Sequence, residues 1–187
     1  GVRLGKRSRF EDLPEWKAGL FEVQDEGSQI AALLCDAQPG MQIADICAGA
    51  GGKSLVMAAN MQNKGRILAL DPNPKRLEQC GKRLRQAGIH NVERKVVAEK
   101  WSNRSWRGKF DRVVIDAPCS GSGTWRRQVD ARWRCSSSDL ARYTSLQAQL
   151  LDKGRAMVMP GGRIIYMQRL SMSCGVCYQR SHCQGEC

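Results

Sequence analysis

Apolar residues along this chain come in short blocks that switch between two periods. Met41 to Ile46 is an apolar run of strand length that closes in a glycine-rich turn, so it reads as a buried strand followed by a helix from about Gly52 to Asn60. The alternation repeats downstream. Arg66–Leu70 reads as a strand, and Pro74–Gln86 as a helix with proline at its start and Gly88 breaking it. Val92–Ala98 is a third strand, and Phe110–Ile115 a fourth, with Val113, Val114 and Ile115 in a row. Ser138-Asp139 can cap a helix that runs to about Met157; Pro160-Gly161-Gly162 is then a turn and Arg163–Met167 a fifth strand. Upstream, Ile30, Ala31, Leu33 and Leu34 share one face of a helix predicted over Glu26–Ala37 and ended by Pro39-Gly40. Strands alternating with helices predict an α/β fold: a parallel sheet with helices on both faces.

At 187 residues the chain can build one domain with a real core. Residues 1–20 form a basic lead-in, 21–167 the core, and 168–187 a tail rich in Ser, Cys, Gln, Gly and Arg with no period of either kind, expected to be disordered. No apolar run nears the roughly 20 residues of a membrane span, and no apolar signal-peptide segment follows the basic start. A cytoplasmic monomer without a protein partner is the expectation. The net charge of +12 changes the picture, because so large a surplus favours a polyanion, nucleic acid above all. Nine cysteines show no staple pattern, and the tail group Cys174, Cys177, His182, Cys183 and Cys187 lacks the paired spacing of a zinc site, so no metal is expected.

Candidate chemistry begins at the turn Asp45-Ile46-Cys47-Ala48-Gly49-Ala50-Gly51-Gly52-Lys53-Ser54. A P-loop needs glycine where Cys47 stands. A dinucleotide fingerprint needs Gly or Ala where Ser54 stands. The remaining pattern is an acid followed by small residues at alternate positions, as in an S-adenosylmethionine loop, and Asp45, Cys47, Gly49 and Gly51 fit it. A ligand lying over the ends of parallel strands needs the main chain close, which only small side chains permit. Asp45 can hold the loop or meet the ligand's ammonium group. Asp71 closes the second strand, where a carboxylate can accept both hydroxyls of an unphosphorylated ribose. A ligand-free tight turn and a helix-capping Asp71 explain either feature singly, but less well the two at this spacing.

The fourth strand runs into Asp116-Ala117-Pro118-Cys119-Ser120-Gly121-Ser122-Gly123, which places Asp116 and Cys119 beside that loop in an open parallel sheet. A cysteine thiolate adding to carbon 6 of cytosine turns the poorly nucleophilic carbon 5 into an enamine-like carbanion, and an acid nearby can bond the base. Further on, Trp125, Arg126, Arg127, Arg132, Trp133 and Arg134 interleave rings and guanidinium groups; Arg126, Arg127 and Arg132 are the candidate RNA contacts.

These segments, with Phe21-Glu22-Val23-Gln24-Asp25-Glu26-Gly27-Ser28-Gln29 and Asp130-Ala131-Arg132-Trp133, resemble the Sun/Nol/Nop RNA 5-methylcytosine methyltransferases in their bacterial branch, over roughly residues 20 to 166. The resemblance implies a Rossmann-like S-adenosylmethionine-dependent methyltransferase fold acting on rRNA or tRNA. It implies that Cys47, Ala48, Gly49, Ala50, Gly51, Gly52 and Lys53 wrap the cofactor, that Asp71 binds its ribose, and that Asp116 lies against cofactor and base. It gives Cys119 a part in product release and puts the attacking cysteine in a Thr-Cys-Ser segment straight after the fifth strand. Here that place reads Met167-Gln168-Arg169-Leu170. Glu99 is the nearest match to the usual third-strand acid, and Val129 stands where proline is expected. The chain is therefore expected to leave the family pattern at about Met167, as a frameshifted or truncated product would, with the sheet incomplete at its C-terminal end and catalysis weakened or absent. Cys119 and Cys174 are the alternative nucleophiles.

Overall fold

The computed structural model describes residues 9–98, 100–120 and 136–168. Arg126, Arg127, Arg132, Glu99, Val129 and the cysteine tail with Cys174 lie outside the described residues.

β1 (Gln42–Ile46), β2 (Arg66–Asp71), β3 (Val92–Val96), β4 (Phe110–Asp116) and β5 (Val158–Met167) form one parallel sheet in the order β3-β2-β1-β4-β5. In β1, β2, β4 and β5 alternate side chains enter different cores, as a period of two requires. Ala44, Ile46, Leu68, Leu70, Val113 and Ile115 face one side, under α5 (Ser137–Met157). Ile43, Ile67 and Val114 face the other, against Met57, Ala58 and Met61 of α3 (Gly52–Asn60) and its following turn. α4 (Pro74–Gln86) closes on α3 through Leu55, Cys80 and Leu84. Gly154 lets α5 lie close to the sheet, since a Cβ there would stand 2.8 Å from Ile115 Cδ1. The α/β, Rossmann-like expectation is borne out.

The strand order puts the switch point between β1 and β4. The chain builds outward from β1 to β3, then returns to the far side of β1. The connections leaving β1 and β4 therefore part to opposite faces and open a crevice above the carboxyl ends.

Several boundaries differ from the sequence reading. β2 and β4 each extend one residue, so Asp71 and Asp116 are the last residues of strands. β3 stops at Val96, two residues before Ala98, because its partner β2 ends at Asp71; the last ladder bond runs from Val97 N–H to the Asp71 carbonyl at 3.2 Å. α5 starts from a capping box on Ser136, with Asp139 reaching back, rather than from Ser138. Pro160-Gly161-Gly162 is not a turn before the strand but a bulge inside it. The register with β4 passes from Phe110↔Val158 to Arg112↔Arg163, and Gly161 takes φ +79°.

The largest correction concerns the N-terminal helix. After α1 (Pro14–Lys17), α2 spans only Glu26–Leu33, capped by Asp25, and Asp36 adopts φ +48°. The chain thereby turns Cys35 and Ala37 into the core under α3, whereas Ile30, Leu33 and Leu34 are 53%, 56% and 73% exposed. The face predicted to be buried is largely solvent-facing, and Ala32, off that face, is the buried residue of the helix.

Candidate functional site

β1 delivers Asp45 to the crevice almost fully buried, one position before its end. Cys47 then takes φ +68°, a left-handed conformation that is costly for a non-glycine residue and concentrated at functional turns. Gly49 and Gly51 follow at φ +58° and +81°, which glycine adopts freely. The turn folds over the end of β2: Ala48 N–H donates to the Leu70 carbonyl and Gly49 N–H to Asp71 Oδ2, both at 2.9 Å. Asp71 Oδ1 meanwhile accepts from Asn73 N–H at 2.8 Å, so one carboxylate holds the turn and the entry to α4 together. Each oxygen keeps a lone pair for another donor.

Gly51 caps α3 and does not line the crevice; it lies against α4, where a Cβ would stand 2.3 Å from Cys80 Sγ. Lys53, in the first turn of α3, points back across the crevice, and its Nζ meets Asp116 Oδ2 at 2.6 Å. A cation at a helix N-terminus opposes the macrodipole, and Asp116 offsets it. The Asp116 turn is itself braced, because Ala117 N–H donates to the Met167 carbonyl at 3.1 Å and Gln147 Nε2 of α5 to the Pro118 carbonyl at 2.7 Å.

These segments enclose one cleft of about 870 Å³, within the range of small-molecule sites. It is lined by Asp45, Cys47, Ala48, Gly49, Ala50, Gly52, Lys53, Asp71, Asp116 and Cys119. Every candidate cofactor or catalytic residue among the described residues except Gly51 thus converges on it.

Asp45, Asp71 and Asp116 share the cleft with Lys53, with Asp25, Arg76 and Arg83 also on its lining. Burial pushes Asp45 up from 3.8 to about 6; the Ser54 hydroxyl and Lys53 hold it down, and Asp116 and Asp71 push it further up. Ser54 Oγ donates to Asp45 Oδ2 at 2.6 Å, while Oδ1 is buried with no hydrogen-bond partner. Burial, with Asp71 and Asp45 nearby, pushes the Cys47 thiol up to about 12, so it stays protonated and serves the turn rather than attack.

Sequence reasoning missed five contributors. Ser54 counted only as a mismatch to another motif, yet its hydroxyl orients Asp45. Arg83 of α4 donates to the Ala50 carbonyl at 2.8 Å and pairs with Glu22 at 3.1 Å. Gln24 borders Gly52. Glu22 and Gln24 belong to the segment that carried part of the resemblance, and that position was the available signal for them. Arg83 and Gln147 act through contacts that no local pattern announces. Among the described residues no group of three or more His, Cys, Asp or Glu side chains is placed to hold a metal.

A sequence model described as 16S rRNA methyltransferase RsmB/F matches residues 32–176. Ribosomal RNA small subunit methyltransferase B of Yersinia enterocolitica is 34% identical over 169 residues, covering 88% of this chain and 38% of that protein. The crystal structure of PH0851 superposes with a TM-score of 0.82 at 31% identity, over 87% of this chain and 37% of that one. NSun6 from Pyrococcus horikoshii, solved with SFG, gives a TM-score of 0.79 over 88% of this chain and 42% of its own; at 22% identity that likeness concerns the fold alone. The chain spans less than half the length of each of these proteins.

Proposed function

The chain belongs to the RsmB/F family of 16S rRNA methyltransferases, and on that premise we propose that its cleft binds S-adenosylmethionine and directs methyl transfer to carbon 5 of a cytosine in RNA. Ribosomal RNA is the substrate class that the names of its relatives support. A cytoplasmic location belongs to the same proposal; among the described residues no helix is long and apolar enough to cross a membrane.

The observation that carries the reading is a carboxylate set built for a cation. Asp45 presents a buried oxygen without a partner, and Asp71 and Asp116 line the same cleft. Burying such an oxygen is costly unless a donor arrives, and an ammonium group is a fitting one. When bound, the cofactor supplies an electrophilic methyl group on a sulfonium. Asp45 takes its ammonium group, Asp71 accepts its ribose hydroxyls, and the small residues from Cys47 to Gly52 let the main chain close on it. Asp116, held by Lys53, faces the base. Cys119 brings its thiol to the same cleft.

The assay is direct: the protein, methyl-labelled cofactor and total RNA are mixed, and ribonuclease-sensitive label is the expected product. Loss of transfer in Cys119→Ser supports catalysis through that thiol. Ribonuclease-resistant label points instead to a protein or small-molecule substrate and overturns the RNA assignment. A second reading, cofactor and RNA binding without transfer, is favoured by one position. β5 ends on Met167, in register with Asp116, and the next residue is Gln168, hydrogen-bonded to Tyr166, where the resemblance puts a Thr-Cys segment. Binding without label transfer selects it.

Asp45 gives the cleft a pH signature. Because its folded-state value lies above the ordinary 3.8, the protein alone is favoured by the protonated form, and that stability is lost as pH rises through about 6. A cationic ligand needs the ionised form. Cofactor affinity is therefore expected to be about tenfold weaker at pH 5 than at pH 7, and the dependence to flatten in Asp45→Asn. Calorimetry across this range checks it; a flat wild-type profile overturns the role of Asp45.

A further inference from the structure

The positive charge of this protein is unevenly distributed. Residues 9–93 carry ten Lys and Arg against eleven Asp and Glu. Residues 94–109 carry six, Arg94, Lys95, Lys100, Arg104, Arg107 and Lys109, against Glu99 alone. This segment is the crossover from β3 to β4 and lies away from the cleft-lining residues. Instead of a helix it contains a 3-10 turn, Arg104–Trp106, and two tryptophans.

Those tryptophans anchor the segment and take up two nearby cations, Lys95 and Lys153. Trp101 and Trp106 meet edge to face, with centroids 5.5 Å apart, and both pack on the core under the α5 side of the sheet. Lys95 Nζ lies 5.1 Å from the Trp106 ring, and Lys153 Nζ 4.3 Å from that of Trp101. Lys153 Nζ also donates to the Trp101 carbonyl at 2.9 Å, and Asn103 Nδ2 to the Lys153 carbonyl at 3.2 Å. Gly108 N–H and Lys109 N–H close the loop on the Ala156 and Met157 carbonyls at 3.0 and 2.9 Å. The segment is thus fastened to the end of α5, which adds the exposed Arg155.

Arg94 leaves this group: its guanidinium crosses to α4, donating to the Leu77 carbonyl. Lys95, Lys100, Arg104, Arg107, Lys109 and Arg155 are exposed, and among the described residues no salt bridge joins any of them to a carboxylate. A lysine on an edge strand such as β3 is ordinary protection against strand pairing, but Arg104, Arg107 and Lys109 are not on the strand. Fastening like charges together on one anchored loop costs self-repulsion that a polyanion relieves. At its Lys95 end the flank reaches the carboxyl end of the sheet, where the cleft opens. Lys95 pairs in register with Leu70, one residue before Asp71, and Lys109 lies at the opposite end of the sheet, just ahead of β4.

We propose that this flank, Lys95 to Lys109 with Arg155, is a phosphate-binding track for RNA lying outside the cleft. The proposal deepens the RNA reading above and rests on it.

The test uses the full chain, a short unstructured RNA, and anisotropy over a salt series, with cofactor binding by calorimetry beside it. Arg104→Gln/Arg107→Gln/Lys109→Gln is expected to flatten the slope of log affinity against log salt by about 2, since each single-strand phosphate contact contributes about 0.7, and to leave cofactor affinity unchanged. Lys75→Gln/Lys82→Gln/Arg85→Gln on α4 removes the same net charge from the opposite face and should leave the slope near wild type. The charge-keeping swap Arg104→Lys/Arg107→Lys/Lys109→Arg should restore it. Should the loop triple melt early, Lys95→Gln/Arg155→Gln, outside the loop, is expected to flatten the slope by about 1.4. Equal losses in the flank and α4 variants, or none in the flank variants, overturn the track. RNA binding that follows the track without any cofactor binding sinks the methyltransferase reading and leaves the track standing. Cofactor binding without RNA binding sinks the track and leaves the cofactor site.

Discussion

Asp71→Ala is expected to weaken S-adenosylmethionine binding by about 100-fold or more, with the melting temperature falling as well. The carboxylate does two jobs that no other residue in the cleft duplicates. In the proposed complex it accepts ribose hydroxyls, and hydrogen bonds to a charged acceptor each contribute about 1.5–3 kcal/mol. Towards the protein it accepts Gly49 N–H and Asn73 N–H, tying the glycine turn to the start of α4. Alanine leaves both N–H groups without that partner, at about 1 kcal/mol each where water can reach them, and frees the turn to leave the geometry the ligand needs. Asp71→Asn keeps one acceptor oxygen and is expected to fall between wild type and alanine. Calorimetry measures the affinity and a thermal melt the stability. Binding by Asp71→Ala within threefold of wild type would remove the ribose site from this cleft.

How far the chain could be read in advance follows from where each contact originates. The strands were legible because β1, β2 and β4 are buried on both faces and so become short, largely apolar runs. The acid at the end of β2 and the small residues after β1 were legible because they stand at the carboxyl ends of adjacent parallel strands, where the crevice opens. The end of α2 was not. Its apolar residues keep a helical spacing past Leu33, and the left-handed turn at Asp36 that redirects Cys35 and Ala37 leaves no mark in that pattern. The bulge in β5 was hidden because Pro160-Gly161-Gly162 has the composition of a turn, and only pairing with β4 makes it part of a strand.

The site shows the same division. Its residue types were visible, and their partnerships were not. Lys53 was expected as part of a loop wrapping a cofactor, but in the structure its ammonium group reaches Asp116, 63 residues away in sequence. Ser54 bonds Asp45 across nine residues and Arg83 reaches Ala50 across 33, over the top of a helix pair. Such contacts follow from the strand order, which brings the ends of β1, β2 and β4 within one crevice. The pattern of apolar residues predicts a parallel sheet without saying which strands are neighbours.

That arrangement makes Lys53 the electrostatic centre of the cleft, and Lys53→Met is expected to cost about 2–3 kcal/mol of stability near pH 7. Breaking a fully buried ion pair from one side costs about 3–5 kcal/mol; the Lys53 and Asp116 side chains are 10% and 25% exposed, which puts this pair below that range. Methionine keeps most of the volume, so the loss reports charge rather than packing. Lys53 also lowers Asp45, which burial has already pushed up to about 6. Without Lys53 the value rises further, and the added penalty falls on the alkaline side, where Asp45 must ionise. The deficit against wild type should therefore shrink as pH falls through about 6, because Asp45 takes up its proton and one of the crowded charges disappears. Lys53→Met/Asp116→Asn should recover at least half of the loss at pH 7, the positive coupling of a direct pair. Methyl transfer, in contrast, is expected to fall by about 100-fold in both variants, since a group displaced by an ångström loses that much. Denaturant melts at several pH values measure the first effect and labelled transfer the second. If Lys53→Met unfolds at the wild-type midpoint near neutrality, the pair does not govern the cleft, and Asp116 must be held in place by its strand and the braces on Ala117 and Pro118.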